Sequence, residues 1–261
     1  MAEPAKHTVK SVAKAFEVLR AFNPARPEMT ITDVANQAGL DRGTAFRLIH
    51  TLIELGYLAA IPGERRFRLT LKCLDLGFDA LSAGGLKAQS APLLRELVPG
   101  VAEAASLGIL DKADVVYVER VQVDMGRHDL DRRVGSRTGA YATALGHAIL
   151  AWEPPDHARA LLASGDRVAL SDRTLTDLDA LCDRLAEVRQ RGYAVSDGEN
   201  AYGLRTVAMP VIAANGRAGA AVSLTVRRET GPMDGFLARA LPALTRVVES
   251  LSRAVIMLAA A

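Results

Sequence analysis

Residues 30–69 read TITDVANQAGLDRGTAFRLIHTLIELGYLAAIPGERRFRL. Thr30 with Asp33 three residues on is a loose capping box, and it opens a short helix. Ala38-Gly39-Leu40 stops that helix, because glycine suits the left-handed turn of a helix exit. Asp41 caps a second helix, from about Arg42 to Leu55. On it Ala45, Leu48, Ile49, Leu52 and Leu55 recur at three- and four-residue spacing and form one apolar face. Arg47, His50 and Glu54 take the other face, with Arg42 and Thr44 near the N-terminus. Gly56 ends the helix. Two strand-like segments follow, Tyr57–Ile61 and Arg66–Thr70, around a Pro62-Gly63 turn. Helix, tight turn, helix and basic hairpin is the order of a winged helix-turn-helix.

That arrangement suits duplex DNA. A helix buried on one side offers Arg42, Thr44, Arg47 and His50 to base edges. Arg65, Arg66 and Arg68 make the hairpin positive enough to straddle phosphates. The plainer alternative is a helical hairpin with a solvated charged face; the basic hairpin directly after it argues against that. Charge distribution agrees, though modestly. Residues 1–70 carry ten Lys/Arg against seven Asp/Glu, and the remainder 22 against 23.

Working outward, residues 1–7 read as a leader. Thr8–Phe22 is an amphipathic helix with Val9, Val12, Phe16 and Leu19 on one stripe, expected to pack under the next two helices as a trihelical core. Beyond the hairpin, Leu71, Leu74, Phe78 and Leu81 mark a linker helix whose seam meets a second copy of itself. The alternative is that this stripe closes the winged-helix core. Ser82–Gly85 is the boundary, dividing the chain into 1–70, 71–85 and 86–261.

The second part is predicted to start with a helix over Ala88–Ala105. Strands follow at Ser106–Leu110, Val115–Val121 and Val123–Asp129, then a loop over Gly135–Thr143. Helices are expected at Ala144–Trp152, from Pro155 to Ala163, and over Thr176–Arg191. Three strands come next, at Tyr193–Asp197, Arg205–Ile212 and Ala218–Val226. Asn215-Gly216 joins the last two as a hairpin. A closing helix carries Leu237, Leu241, Leu244, Val248, Leu251, Val255 and Leu258, with Pro242 expected to kink it or mark a second start. Hairpin strands between helices give an α+β domain with an antiparallel sheet.

At 261 residues, 49% apolar and 24% charged, the chain has room for two cores. Its two cysteines, Cys73 and Cys182, lie far apart without ligand-spaced neighbours, so neither a metal centre nor a disulfide scaffold is indicated. The start lacks an apolar signal region, and no 18-residue apolar run occurs; both predict a cytoplasmic protein with no membrane partner. Catalysis has no recognisable carrier. The histidines at 7, 50, 128, 147 and 157 sit in no catalytic pattern, and no nucleophile elbow, phosphate loop or H-E-x-x-H is present. His147 reads as a partly buried polar residue. No catalytic residue, metal ligand or cofactor is assigned. An α+β enzyme or a ligand-free scaffold with an accessory helix-turn-helix is the alternative to a regulator.

The chain resembles the IclR family of bacterial transcriptional regulators over nearly its whole length. The DNA part does so through SVAKAFEVLRAF, ITDVANQAGLDRGTAFRLIHTLIELGYL and RRFRLTLKCLDLG. The second part does so through VGSRTGAYATALGHAILA and RGYAVSDGENAYGLRTVAMPVIAANGRAGAAVSLTV. The resemblance implies a winged helix-turn-helix, a linker helix and a GAF-like effector domain, assembled as a homodimer or dimer of dimers on a pseudo-palindromic operator. The segment MGRHDLDRRVGSRTGAYATALG is most similar to the branch that senses aromatic acids, which includes the protocatechuate, 4-hydroxybenzoate and β-ketoadipate regulators. Carried over by position, the effector wall comprises Arg127, Leu130, Tyr141, Ala144, Leu145, Asp197, Thr206, Ser223 and Thr225. Ser196 stands where the family is often acidic, and Thr206 where it is often cysteine.

The residues themselves favour a small organic acid. Free N–H groups at the start of the Ala144 helix attract anions. Arg127 and His128 are candidates to pair a carboxylate, and Asp197 and Glu199 to hold a phenol. Ser223 and Thr225 alternate with Val222, Leu224 and Val226, so both hydroxyls share one sheet face, as do Thr206 and Ala208. Hydroxyls on a strand are otherwise just its solvent side.

Overall fold

The capping box at Thr30 forms in full. The Thr30 hydroxyl accepts from the Asp33 N–H, and the Asp33 carboxylate accepts from the Thr30 backbone, which holds that carboxyl below its ordinary range. Asp41 caps the next helix the same way, 2.8 Å from the Thr44 nitrogen. The structure is a computed structural model describing residues 8–82, 86–125 and 132–260, the side chains of 78–82 and 256–260 excepted. The chain divides into two units, residues 1–80 and 81–261.

In the first unit α1 (Lys10–Ala21) leads to β1 (Glu28–Thr30), α2 (Ile31–Gln37) and α3 (Arg42–Glu54). The wing follows as β2 (Leu58–Ala60) and β3 (Arg66–Leu69), then α4 (Cys73–Ser82). The sheet order β1-β3-β2 pairs Glu28 with Arg68 and Ala60 with Phe67. Strand β1 has no period of its own; it exists through that pairing. The core gathers Val18, Ala21, Phe22, Met29, Val34, Ile49, Leu52, Leu58 and Phe67.

Two apolar stripes differ from expectation. On α1 the buried residues are Val18 and Ala21, while Val9, Val12 and Phe16 are 61%, 53% and 48% exposed. Leu55, read as part of the buried face of α3, is 52% exposed at the C-cap, where the helix is already turning away.

In the second unit α5 (Leu86–Leu97) stops short of Val98-Pro99-Gly100, which breaks the longer helix expected there. Then come β4 (Ala104–Asp111), β5 (Asp114–Gln122), β6 (Arg137–Gly139), α6 (Ala144–Leu150), α7 (Pro155–Ser164) and α8 (Leu178–Arg191). Last are β7 (Ala194–Asp197), β8 (Leu204–Ile212), β9 (Ala218–Arg227) and α9 (Met233–Ala260), helical straight through Pro242. The six strands pair antiparallel in the order β6-β5-β4-β9-β8-β7. The strand expected at Val123–Asp129 is not formed over Val123–Met125, and its remainder lies outside the described residues. The edge is instead β6, inside a segment read as loop; Arg137 anchors it through Asp111 at 2.6 Å and Asp114 at 3.3 Å.

One sheet face carries Ala105, Leu107, Val118, Val207, Val222 and Leu224 against α5 and α9. The other packs Val115, Tyr117, Ala208 and Ala221 against α6 and the helices behind it. That second face turns polar at one end, where the site sits. Among the described residues, no helix is long and apolar enough to cross a membrane.

Candidate functional site

Asp41 sets where α3 begins, so it fixes which side chains leave the helix outward. Arg42 is the first helical residue and exposed; Arg47 and His50 follow on the exposed face. Thr44 is half-buried, and its hydroxyl accepts from the Arg47 guanidinium at 3.3 Å, which orients that side chain. Arg65, Arg66 and Arg68 all stand exposed on the wing, while Phe67 between them turns into the core. Arg66 has a 3.9 Å contact with Glu64, both about half exposed, too loose to cancel its charge. One exposed, cationic surface of a single unit therefore carries most of the side chains named for DNA.

The second site is built from cross-strand registry. Ser196 faces Thr206, Thr206 faces Thr225, and Thr225 faces Ala104. One rung along, Ala208 faces Ser223, Ser223 faces Ser106, and Ser106 faces Arg120. The period-2 pleat puts all of these on one face. Thr206 and Thr225 share a hydroxyl hydrogen bond of 2.9 Å, and Arg120 reaches the Ser106 hydroxyl at 2.8 Å. Over this polar end the start of α6 brings Thr143, Ala144 and Leu145. Tyr117, Arg132, Asn200, Ala201 and Leu204 complete a small pocket, with about 40 Å³ of enclosed space and about 470 Å³ when its open, solvent-filled mouth is included.

Arg132 dominates its electrostatics. Its guanidinium donates to the Tyr117 hydroxyl at 3.1 Å, to Thr138 Oγ1 at 2.5 Å and to Asn200 Oδ1 at 2.6 Å, and it lies 5.4 Å from the centre of the Tyr117 ring. All three acceptors are neutral, and among the described residues no carboxylate pairs with this guanidinium.

Of the effector residues named from sequence, Ala144, Leu145, Thr206, Ser223 and Thr225 meet at this cavity. Arg127 and Leu130 lie outside the described residues, as does His128. Asp197 is not on the wall. Strand alternation turns its neighbour Ser196 inward, and Asp197 pairs with Arg205 at 3.2 Å and Arg173 at 3.5 Å. Tyr141 is also elsewhere: its hydroxyl bonds the backbone of Val168, donating at 2.7 Å and accepting at 3.0 Å. Glu199 is tied to Arg184 at 3.0 Å rather than to the cavity. The expected anion site at the start of α6 is weaker than it looked. The helix has only seven residues, and Thr143 already caps Gly146 at 2.9 Å.

Sequence reading missed Tyr117, Arg120, Arg132, Thr143, Ser196 and Asn200. An arginine opposite a serine in a buried strand pair was the available signal for Arg120. Arg132 had none, since its partner Asn200 is 68 positions away. His147, expected to be partly buried, is fully enclosed. Its Nε2 lies 2.6 Å from the Tyr141 carbonyl, Nδ1 has no partner among the described residues, and burial lowers its pKa from the ordinary 6.5.

Comparison with known proteins agrees with both halves. The IclR helix-turn-helix domain matches residues 11–62, and the bacterial transcriptional regulator IclR C-terminal domain matches residues 78–253. The transcriptional regulator XynR of Escherichia coli is 32% identical over 217 residues, 83% of this chain and 86% of that protein. The Pca regulon regulatory protein of Pseudomonas putida is 32% identical over 215 residues, 82% and 73% of the two chains. A transcriptional regulator from Rhodococcus sp. RHA1 superposes with a TM-score of 0.84 at 35% identity, covering 95% of this chain and 98% of that one. These relatives are regulators, not enzymes. With family models covering most of its length, the chain belongs to the IclR family of bacterial transcriptional regulators.

Proposed function

We propose that this ligand-responsive regulator is a cytoplasmic homodimer, or dimer of dimers, on a pseudo-palindromic operator, and that its effector is a small carboxylic acid. Arg42, Thr44, Arg47 and His50 enter the major groove, and Arg65, Arg66 and Arg68 hold the flanking phosphates. The observation that carries the effector reading is Arg132, a guanidinium fixed at the cavity by three neutral oxygens. A carboxylate entering there gains a charge-assisted, two-pronged partner.

Within that class the reading we favour is an aromatic acid such as 4-hydroxybenzoate or protocatechuate. Leu145, Leu204, Ala144 and Ala201 supply apolar wall, and Ser223, Thr225 and Thr206 supply partners for a ring hydroxyl. Likeness to the Pca regulon regulatory protein supports this branch. The hydroxyl row itself favours a second reading, a hydroxylated aliphatic acid. Calorimetry on the full chain against 4-hydroxybenzoate, protocatechuate, β-ketoadipate and hydroxylated aliphatic acids separates the two. The expected result is binding of an aromatic acid by the native chain, weakened at least tenfold in Arg132→Gln. Equal binding by Arg132→Gln removes the carboxylate clamp; preference for the aliphatic acids removes the aromatic reading.

A further inference from the structure

Phe46 sits on α3 directly before Arg47 and is 49% exposed. Its ring is not loose. The centroid lies 4.3 Å from that of His50 at an interplanar angle of 52°, and His50 in turn meets Phe67 edge-on at 6.5 Å. Phe67 is buried in the wing strand, so His50 backed by Phe67 props Phe46 from one side while about half of its surface stays exposed. At 3.6 residues per turn Phe46 is rotated about 40° from His50 and about 100° from Arg47, so it flanks the face that carries both. The surroundings are cationic: Arg42 and Arg47 stand on the same helix, and Arg65, Arg66 and Arg68 stand on the wing.

A fixed phenyl ring amid arginines suits a polyanion that offers one apolar spot. The major groove of B-DNA offers one such group, the thymine C5 methyl. We propose that Phe46 reads thymine methyl groups in the operator and is a specificity-determining residue of this chain. This rests on the docking of α3 in the major groove, and the test tells the two apart.

The full chain is used to select half-sites from a randomised duplex library. Each thymine of the selected site is then replaced by deoxyuridine, which removes the methyl and nothing else. Wild type is expected to lose about fourfold in affinity at one or two positions, the scale of one buried methyl. Phe46→Ala, altered only at an exposed position, is expected to fold normally and to bind the thymine and deoxyuridine duplexes alike. Arg47→Ala serves as the docking control and should lose the selected site. If wild type tolerates deoxyuridine everywhere while Arg47→Ala still loses the site, the methyl-reading role is overturned and the docking stands. If Arg47→Ala keeps the site, the docking fails and takes the proposal with it.

Discussion

His147 shows how one residue couples burial to pH. Its ring is fully enclosed one turn into α6, with Nε2 on the Tyr141 carbonyl and Nδ1 unpartnered among the described residues. Burial favours the neutral ring and lowers its pKa below 6.5; the nearby Glu199 carboxylate opposes this without reversing it. In the unfolded chain the same ring takes a proton near its ordinary value. Between the two values the unfolded state therefore binds more protons, and stability falls as pH drops below about 6.5. Thermal melts of the native chain at pH 7.5 and 5.5 should show a fall in midpoint that His147→Gln reduces. An equal fall in both would assign the acid sensitivity to other groups. Sequence located this histidine on its helix but not its enclosure, because the Tyr141 carbonyl that receives it belongs to a 3-10 turn at Ala140–Ala142. Arg132 was not legible, because spacing along a chain says nothing of which arginine the tertiary fold turns toward Asn200.

At the scale of elements, alternation and capping were legible and pairing was not. Ser223 and Thr225 share a face because strands alternate, and the fold keeps them there beside Thr206. Thr30 and Asp41 marked helix starts because their hydrogen bonds are local. The three-residue strands β1 and β6 were invisible, since each is held by partners far along the chain. Two expectations test the sheet and the helix laid over it. Ser223→Ala with Thr225→Val removes two hydroxyls at nearly constant volume, so operator binding should persist in a mobility shift while the effector response is lost. A full response would take the hydroxyl row out of the site. Gly146 packs so closely that a Cβ would overlap the Ala140 carbonyl backbone. Gly146→Ala should therefore cost about 1–3 kcal/mol of stability, read from denaturant midpoints. It should also weaken effector binding, because the displaced start of α6 carries Thr143, Ala144 and Leu145. Unchanged stability with unchanged binding would show that α6 relaxes freely.

For the whole molecule, the question is how an effector, in the proposed reading an acid held by the second unit, changes DNA binding by the first. An effector shifts such an equilibrium only by binding one state more tightly than the other. In the proposed dimer, two operator half-sites need two first units at a set spacing, so the contact between copies is where that bias would act. The first unit carries exposed apolar side chains: Leu71 is 80% exposed, Leu76 53% and Leu74 50%, and so are Val9, Val12 and Phe16 at and along α1. Stripes of this kind mark surfaces that meet another chain, and the linker seam read from sequence begins with Leu71 and Leu74. Leu74→Arg places like charges opposite each other if two copies meet there. Sedimentation should then show dissociation toward smaller species, and operator affinity should fall by at least tenfold as the two half-sites cease to be bound together. Effector affinity measured by calorimetry should stay within twofold, because every described lining residue of the cavity belongs to the second unit. A variant that keeps both its assembly and its operator affinity would move the contact between copies away from this helix.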